Sequence, residues 1–178
     1  MKLSWRCGAA LAAAVAAVWL AACSPALDWR DVRPEGSALQ VQFPCRPAIQ
    51  QRRVALAGAP LALNMVVCSA GGQTFALAYA DAGDPARVGA ALAELVTNVA
   101  ANVGATAPQV SPLTLPGATP NERSGRGRLS GKLPDGAAVQ MAFAVFAHGT
   151  QVYQATVLGE QPSDAAVASF FESMRFKP

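Results

Sequence analysis

The sequence predicts an α+β fold, in which an antiparallel β-sheet is built from two β-β-β-α halves and carries two packed helices. Three observations lead to this prediction. Short runs of alternating apolar and polar residues, typical of half-buried strands, recur between turns that contain Gly and Pro. The connections within each group are too short for parallel crossovers, so neighbouring strands are expected to pair as hairpins. Two segments with apolar residues at spacings of three and four predict a helix after each group of strands.

The first half holds four predicted strands, one more than a β-β-β-α unit needs, and one helix. Its first strand is residues 39–43, where three apolar residues alternate with two glutamines before Pro44. The helix is predicted to begin at Asp84-Pro85, because aspartate caps helix N-termini and proline suits the first helical position, and Gly104 can end it. The other predicted strands are residues 53–56, 61–68 and 74–80.

The second half repeats this order after a proline-containing link, residues 105–120. The link contains four prolines, too many for a central strand, so it is predicted to hold only an edge strand near residues 110–115. Ser163 is predicted to cap a final helix whose apolar stripe includes Phe170 and Phe171. The two halves share their order of elements but hardly any residue identity. The predicted strands of this half are residues 122–133, 138–146 and 151–158.

The N-terminus has the three parts of a secretory signal, namely a cationic start, an apolar middle and small residues before the cleavage position. The apolar run at residues 7–22 is 16 residues long, shorter than the roughly 20 that cross a bilayer as a helix. Leu20-Ala21-Ala22-Cys23 resembles the lipobox of bacterial lipoproteins, which implies that Cys23 receives diacylglycerol after cleavage. The alternative is an uncleaved N-terminal anchor in which Cys23 is incidental.

The predicted mature chain has 156 residues, a length that suits one globular domain. Because Lys2 and Arg6 leave with the signal, 12 cationic residues face 11 acidic ones, which argues against binding of nucleic acid or acidic lipid through bulk charge. Trp29 is predicted to pack on the domain, with the membrane interface as the alternative. The predicted organisation is a signal peptide at 1–22, a lipidated tether at 23–37 and one α+β globular domain at 38–178.

Cysteine usage fits an exported protein. Cys7 leaves with the signal and Cys23 is the predicted lipid site, so Cys45 and Cys68 form a single even pair. They are 23 positions apart and are predicted to form a disulfide that stabilises the fold by about 3 kcal/mol in the chain-entropy model. Two free thiols are the alternative. No metal or cofactor is predicted, because one histidine and no Cys-x-x-Cys motif provide no ligand set.

The C-terminal part has Val152-Tyr153 after a Gly149 turn, then a capped helix bearing Phe170-Phe171-Glu172-Ser173 and a closing Arg175-Phe176. These features resemble the end of domains in the superfamily named for the extrinsic PsbP subunit of photosystem II. The earlier Phe43-Pro44 strand end and the hairpins that follow it fit the same pattern. The resemblance covers residues 39–176 and implies an antiparallel sheet with helices packed against it and a binding or assembly role rather than an active site. The lipobox and the cysteine pair depart from the photosynthetic members, so their manganese-cluster role is not implied. The whole chain also resembles short Gram-negative lipoproteins of unassigned function.

Two places are candidates for chemistry. His148 lies at a predicted hairpin tip without an acidic neighbour in sequence, and the chain has neither Gly-x-Ser-x-Gly nor His-Glu-x-x-His, so His148 is predicted to be a solvated turn residue. Arg126 and Arg128 alternate with glycines in a predicted strand, which places both on one face, where they can hold phosphate or carboxylate by bidentate hydrogen bonds. The alternative is a solvated strand face with flexible glycines.

The sequence therefore predicts a periplasm-facing, lipid-anchored binding or assembly-accessory protein without catalytic activity. Ser24, rather than an aspartate, follows the predicted lipid site, which favours the outer membrane of a Gram-negative bacterium if the usual lipoprotein sorting applies. The expected partners are the membrane, through the lipid, and a periplasmic or outer-membrane protein, with no nucleic acid. The alternatives are a small-molecule carrier with a cleft between sheet and helices and a hydrolase with a dispersed site.

Overall fold

The computed structural model describes residues 27–106 and 108–176, which form ten strands and two helices. The prediction of an α+β fold with antiparallel sheets and two helices is confirmed. The strands are β1 (Arg30–Val32), β2 (Leu39–Phe43), β3 (Ala48–Leu56), β4 (Ala59–Ala70), β5 (Gln73–Asp81), β6 (Ser111–Pro112), β7 (Gly125–Lys132), β8 (Ala138–His148), β9 (Gln151–Gly159) and β10 (Arg175–Phe176); the helices are α1 (Pro85–Ala101) and α2 (Asp164–Glu172).

A seven-stranded antiparallel sheet with the order β3-β4-β5-β9-β8-β7-β6 forms the centre of the fold. The strands β3, β4 and β5 pair in sequence order, as do β7, β8 and β9. Pairing of β5 with β9 joins the two groups, with Tyr79 opposite Tyr153. A helix follows each group along the chain, so two β-β-β-α units build one continuous sheet.

The position of β2 differs from the predicted single sheet. β2 pairs with β1 and β10 in a separate three-stranded sheet. Its alternation is as predicted, since Leu39, Val41 and Phe43 are buried while the glutamines between them are half-buried. Phe43 meets Phe170 of α2 edge to face, with 5.1 Å between ring centroids. The apolar side of β2 is therefore buried in the core shared with α2, because a one-sided strand needs an apolar layer to cover it.

The two helices cover opposite faces of the main sheet, which is the middle layer of the fold. Alternate residues of β8 enter different cores, so that Met141 and Phe143 pack with α1, whereas Ala142 and Ala144 lie in the core that includes α2 and β2. This two-sided burial explains why β8 is a nearly continuous apolar run rather than an alternating one.

Both helices begin where the sequence predicts. Asp84 accepts a 2.9 Å hydrogen bond from the Ala86 N–H, and Ser163 accepts one of 3.4 Å from the Ala166 N–H. The predicted edge strand in the link is shorter than expected, with only Ser111–Pro112 paired to β7. Prolines limit this pairing because they lack the backbone donor.

Residues 27–37, predicted as part of a tether, pack on the domain. Residues 30–32 pair with β2, and the Asp28 N–H donates a 2.8 Å hydrogen bond to the Pro44 carbonyl. Trp29 lies edge to face against Phe75 at 5.9 Å, which confirms the prediction that it packs on the domain. The segment stays on the domain because burying its apolar side chains lowers the free energy relative to leaving them in water.

Candidate functional site

The alternation of β7 places its glycines and its arginines on opposite faces of the main sheet. Gly127 lies opposite Phe143, which is buried in the core between the main sheet and α1. Arg128 lies opposite Ala142, which is buried in the core on the other side, where α2 packs. Arg126 shares the face of Arg128 because residues two apart point the same way. The prediction that both arginines share one face is therefore confirmed.

The glycines of β7 are required by the close approach of two segments, the turn at Val103 that follows α1 and the link at Gln109. A Cβ at Gly131 would lie 2.0 Å from the Val103 carbonyl oxygen, and one at Gly127 would lie 2.5 Å from the Gln109 carbonyl oxygen. Neither glycine has a positive φ, so conformational freedom is not the reason for them. The role of these glycines is therefore steric, because their missing side chains let the neighbouring backbone pack on the strand. This packing holds β7 in position beside α2.

The arginine face forms one wall of a groove between β7 and α2, with a volume of about 490 Å³. Arg128 Nη2 lies 2.6 Å from Asp164 Oδ1, and both side chains are exposed (55% and 85%), so this ion pair adds little to stability. Among the described residues, Arg126 makes no ion pair. The wall contributed by α2 combines acidic and apolar residues, namely Asp164, Val167, Ala168, Phe171 and Glu172.

This arrangement suits an anion that is attached to an apolar body. The guanidinium of Arg126 can hold a carboxylate or phosphate bidentately, while the half-buried Phe171 ring offers an apolar surface beside it. An anion at Arg128 would have to compete with Asp164, and Glu172 disfavours a second anion at the far end of α2.

The predicted disulfide between Cys45 and Cys68 is present, with a Cα–Cα distance of 6.0 Å that lies in the usual range. Cys45 follows β2 and Cys68 lies in β4. The bridge therefore joins the three-stranded sheet, called the small sheet below, to the seven-stranded main sheet. Cys68 is buried in the core that contains α2, and Cys45 packs against that core. The disulfide is therefore a structural link.

A hydrogen-bond network that sequence analysis missed fixes residues 35–37 to the main sheet. The Tyr79 hydroxyl donates to the Glu35 carbonyl at 2.7 Å, and the Tyr153 hydroxyl is bonded to Ser37 Oγ at 2.9 Å and to the Gln151 side chain. Burial raises the pKa of both tyrosine hydroxyls above the ordinary value of 10.0. They are therefore protonated donors at neutral pH. No sequence signal joins Ser37 to Tyr153, because 116 positions separate them.

His148 lies at the end of β8, at the hairpin that the sequence predicts, but it is only partly solvated. It is half-buried, and its ring stacks on Phe176 with 4.3 Å between centroids. Nδ1 lies 2.8 Å from the Gly117 carbonyl oxygen, so it carries the proton and donates it. In residues 27–106 and 108–176, no group of three or more His, Cys, Asp or Glu side chains is placed to hold a metal ion.

A second, more enclosed cavity of about 250 Å³ lies between α1 and the main sheet. Its lining combines sulfur-containing and amide side chains. Arg52 of β3 borders it as well. Such a surface can contact apolar groups and offer hydrogen bonds at the same time. The residues concerned include Met65, Met141, Asn98 and Gln154.

Cys23, the predicted lipid site, lies outside the described residues. Within the part of the chain that is described, neither helix has the length and apolar character to cross a bilayer.

Fold and site together define a disulfide-linked α+β domain in which an arginine-lined groove lies beside a helix. No protein-family model matches the chain, and a comparison with curated proteins finds no significant match.

Proposed function

We propose that this protein is a non-catalytic binding or assembly-accessory lipoprotein. In this proposal lipidated Cys23 holds the domain at the periplasmic face of the outer membrane, and the Arg126–Arg128 groove binds an anionic group of a periplasmic or outer-membrane protein. A relation to the PsbP-like superfamily is part of the same proposal, and the antiparallel sheet covered by helices supports it. The observation that carries the binding role is an exposed Arg126 in the same groove as the half-buried Phe171 ring.

The chemistry of the groove favours binding over catalysis. A general base needs a partner that orients it and a nucleophile within hydrogen-bond reach. Of the carboxylates that line the groove, Asp164 is already held by Arg128, and Glu172 lies at the opposite end of α2. The arginines have no acid–base role near neutral pH, because the guanidinium stays protonated. The groove therefore provides positive charge and an apolar surface to a ligand, both of which serve binding.

The double change Arg126→Ala and Arg128→Ala is expected to leave folding intact and to weaken association with the partner by about tenfold. Both side chains are exposed, so their loss removes contact with the ligand rather than packing. Chemical crosslinking in native membranes followed by pull-down measures the association. The wild-type yield should also fall as salt rises, because exposed charges are screened.

The matched control is Arg123→Ala with Lys132→Ala, which removes two exposed charges near β7 but outside the groove. This control should crosslink like the wild type at low and high salt. Equal yields from the groove variant and the wild type at both salt concentrations would remove Arg126 and Arg128 from the proposed binding site.

The change Cys23→Ala is expected to abolish lipidation, because it removes the thiol that would carry diacylglycerol. The measurement is incorporation of a fatty-acid analogue, together with the detergent dependence of membrane extraction. Cys7→Ala is the matched control, since Cys7 lies inside the predicted signal and should be dispensable. Undiminished labelling of the Cys23→Ala protein would contradict the lipoprotein assignment.

The cavity between α1 and the main sheet, called the α1 cavity below, favours a second candidate function, a small-molecule carrier. Its enclosed shape and mixed apolar and amide lining suit a small amphipathic ligand. Native mass spectrometry of protein extracted from membranes separates the two functions. A co-purified small molecule supports the carrier, and a stoichiometric protein partner supports assembly.

A further inference from the structure

The strand β3 forms one edge of the main sheet and is exposed over most of its length. It has nine residues and pairs with β4, and no other strand of the described chain pairs with it. Residues 48–53 are all exposed. In an antiparallel edge strand about half of the residues direct their N–H and C=O groups away from the neighbouring strand. These six residues therefore offer an open backbone edge about 20 Å long.

This edge is cationic. Between Gly36 and Ala80 the sequence contains Arg46, Arg52 and Arg53 but no Asp or Glu, although the whole chain has 11 acidic residues. No ion pair among the described residues involves these three arginines. The Glu94 carboxylate of α1 lies beyond the C-terminal end of β3, where it accepts a 2.7 Å hydrogen bond from the Ala57 N–H, and it makes no ion pair with these arginines.

The two faces of β3 carry different side chains, and these predict which residue types a pairing strand would need at each position. Arg52 lies opposite Leu63 and points to the α1 side of the sheet, where it borders the α1 cavity. Arg53 and Ile49 point to the other side, because side chains alternate along a strand. Ile49 is 67% exposed, and among the described residues only Val110 is another large apolar residue that is exposed.

Charge disfavours a second copy of the chain as the occupant. If two β3 strands overlapped fully as antiparallel neighbours, Arg52 and Arg53 of each copy would lie opposite or next to those of the other. Like charges in such positions are destabilising. Charged side chains on an edge strand commonly prevent self-pairing in this way. The favoured occupant is a strand of opposite charge.

We propose that β3 binds an extended acidic segment of a partner protein, which adds to the main sheet as an antiparallel strand. The backbone of the segment would complete the open hydrogen bonds of the edge. Two consecutive acidic side chains would lie opposite Arg53 and Arg52, and an apolar side chain would lie opposite Ile49. From its N-terminus, the segment would read as two acidic residues, two residues of any type and one apolar residue. This edge and the Arg126–Arg128 groove lie at opposite ends of the sheet, so each can be tested while the other is intact.

The probe is a capped heptapeptide, Thr-Glu-Glu-Thr-Thr-Val-Thr, titrated against the purified full chain in detergent. Fluorescence anisotropy measures binding, and amide NMR shifts of residues 48–53 locate it. Arg52→Glu with Arg53→Glu is expected to weaken binding at least about tenfold, because attraction becomes repulsion. The matched control, Arg123→Glu with Lys132→Glu, makes the same charge change near the opposite edge of the sheet and should bind within about twofold of the wild type.

Two N-methylated peptides test the added strand separately from charge. One carries N-methyl groups on the odd residues and the other on the even residues. Only alternate residues of an added strand direct N–H groups toward β3, so one peptide should lose binding and the other should retain it.

Equal binding of both methylated peptides and the parent peptide would overturn the added strand. Equal binding by the Arg52→Glu, Arg53→Glu variant would overturn the role of charge. Failure of the parent peptide to bind, with arginine-dependent binding of phosphatidylglycerol vesicles, would assign the edge to a membrane instead. A dimer that forms through β3 would also overturn the proposal, and sedimentation would detect it.

Discussion

Replacement of Cys45 by serine is expected to lower the free energy of unfolding by about 3 kcal/mol, because the disulfide limits the unfolded chain by closing a loop between residues 23 positions apart. Cys45 is the better position to change, since it is half-buried, whereas Cys68 is only 4% exposed and serine there would also bury a hydroxyl. Urea denaturation of the wild type and the variant in the same buffer measures the difference.

The reduced wild type is the control for the effect of the bond itself. Reduction should shift the wild-type denaturation midpoint to that of the Cys45→Ser variant and leave the variant unchanged. Because the bridge joins the small sheet to the main sheet, amide exchange in β1 and β2 should also become faster in the variant. Equal stability of variant and oxidised wild type would show that the bond does not stabilise the fold.

The change Gly131→Ala is expected to lower the free energy of unfolding by about 3 kcal/mol. The added Cβ would lie 2.0 Å from the Val103 carbonyl oxygen, and this carbonyl accepts a 2.8 Å hydrogen bond from the Lys132 N–H. The added Cβ is fixed by the backbone of residue 131, and the atom that it meets is a backbone oxygen. Rotation of a side chain therefore cannot relieve the clash. Urea denaturation measures the loss of stability.

Gly89→Ala is the matched control, because Gly89 lies in α1 and a Cβ there meets nothing within 4 Å. Alanine favours helix over glycine, so this variant should gain about 0.5–1 kcal/mol. A Gly131→Ala protein as stable as the wild type would contradict the close approach of the Val103 backbone to β7.

The sequence by itself predicted the elements that depend on local signals. Residues 39–43 alternate strictly, and β2 has those same bounds. Asp84-Pro85 and Ser163 predicted the starts of both helices, because capping uses atoms within a few positions of one another. The disulfide was also predictable, because Cys45 and Cys68 are the only cysteines left once the predicted signal and lipid site are set aside.

Only the tertiary structure decided which elements that are distant in sequence lie together. Alternation in β2 reports which side chains are buried, but not that its partners are β1 and the C-terminal β10. The same limit applies to the groove, since Arg128 and Asp164 are 36 positions apart and meet because α2 packs beside β7. It applies to Gly131 too, whose missing side chain is explained only by the carbonyl of Val103. Periodicity and capping are properties of neighbouring residues, whereas strand order and interelement contacts depend on how all the apolar faces are buried at once.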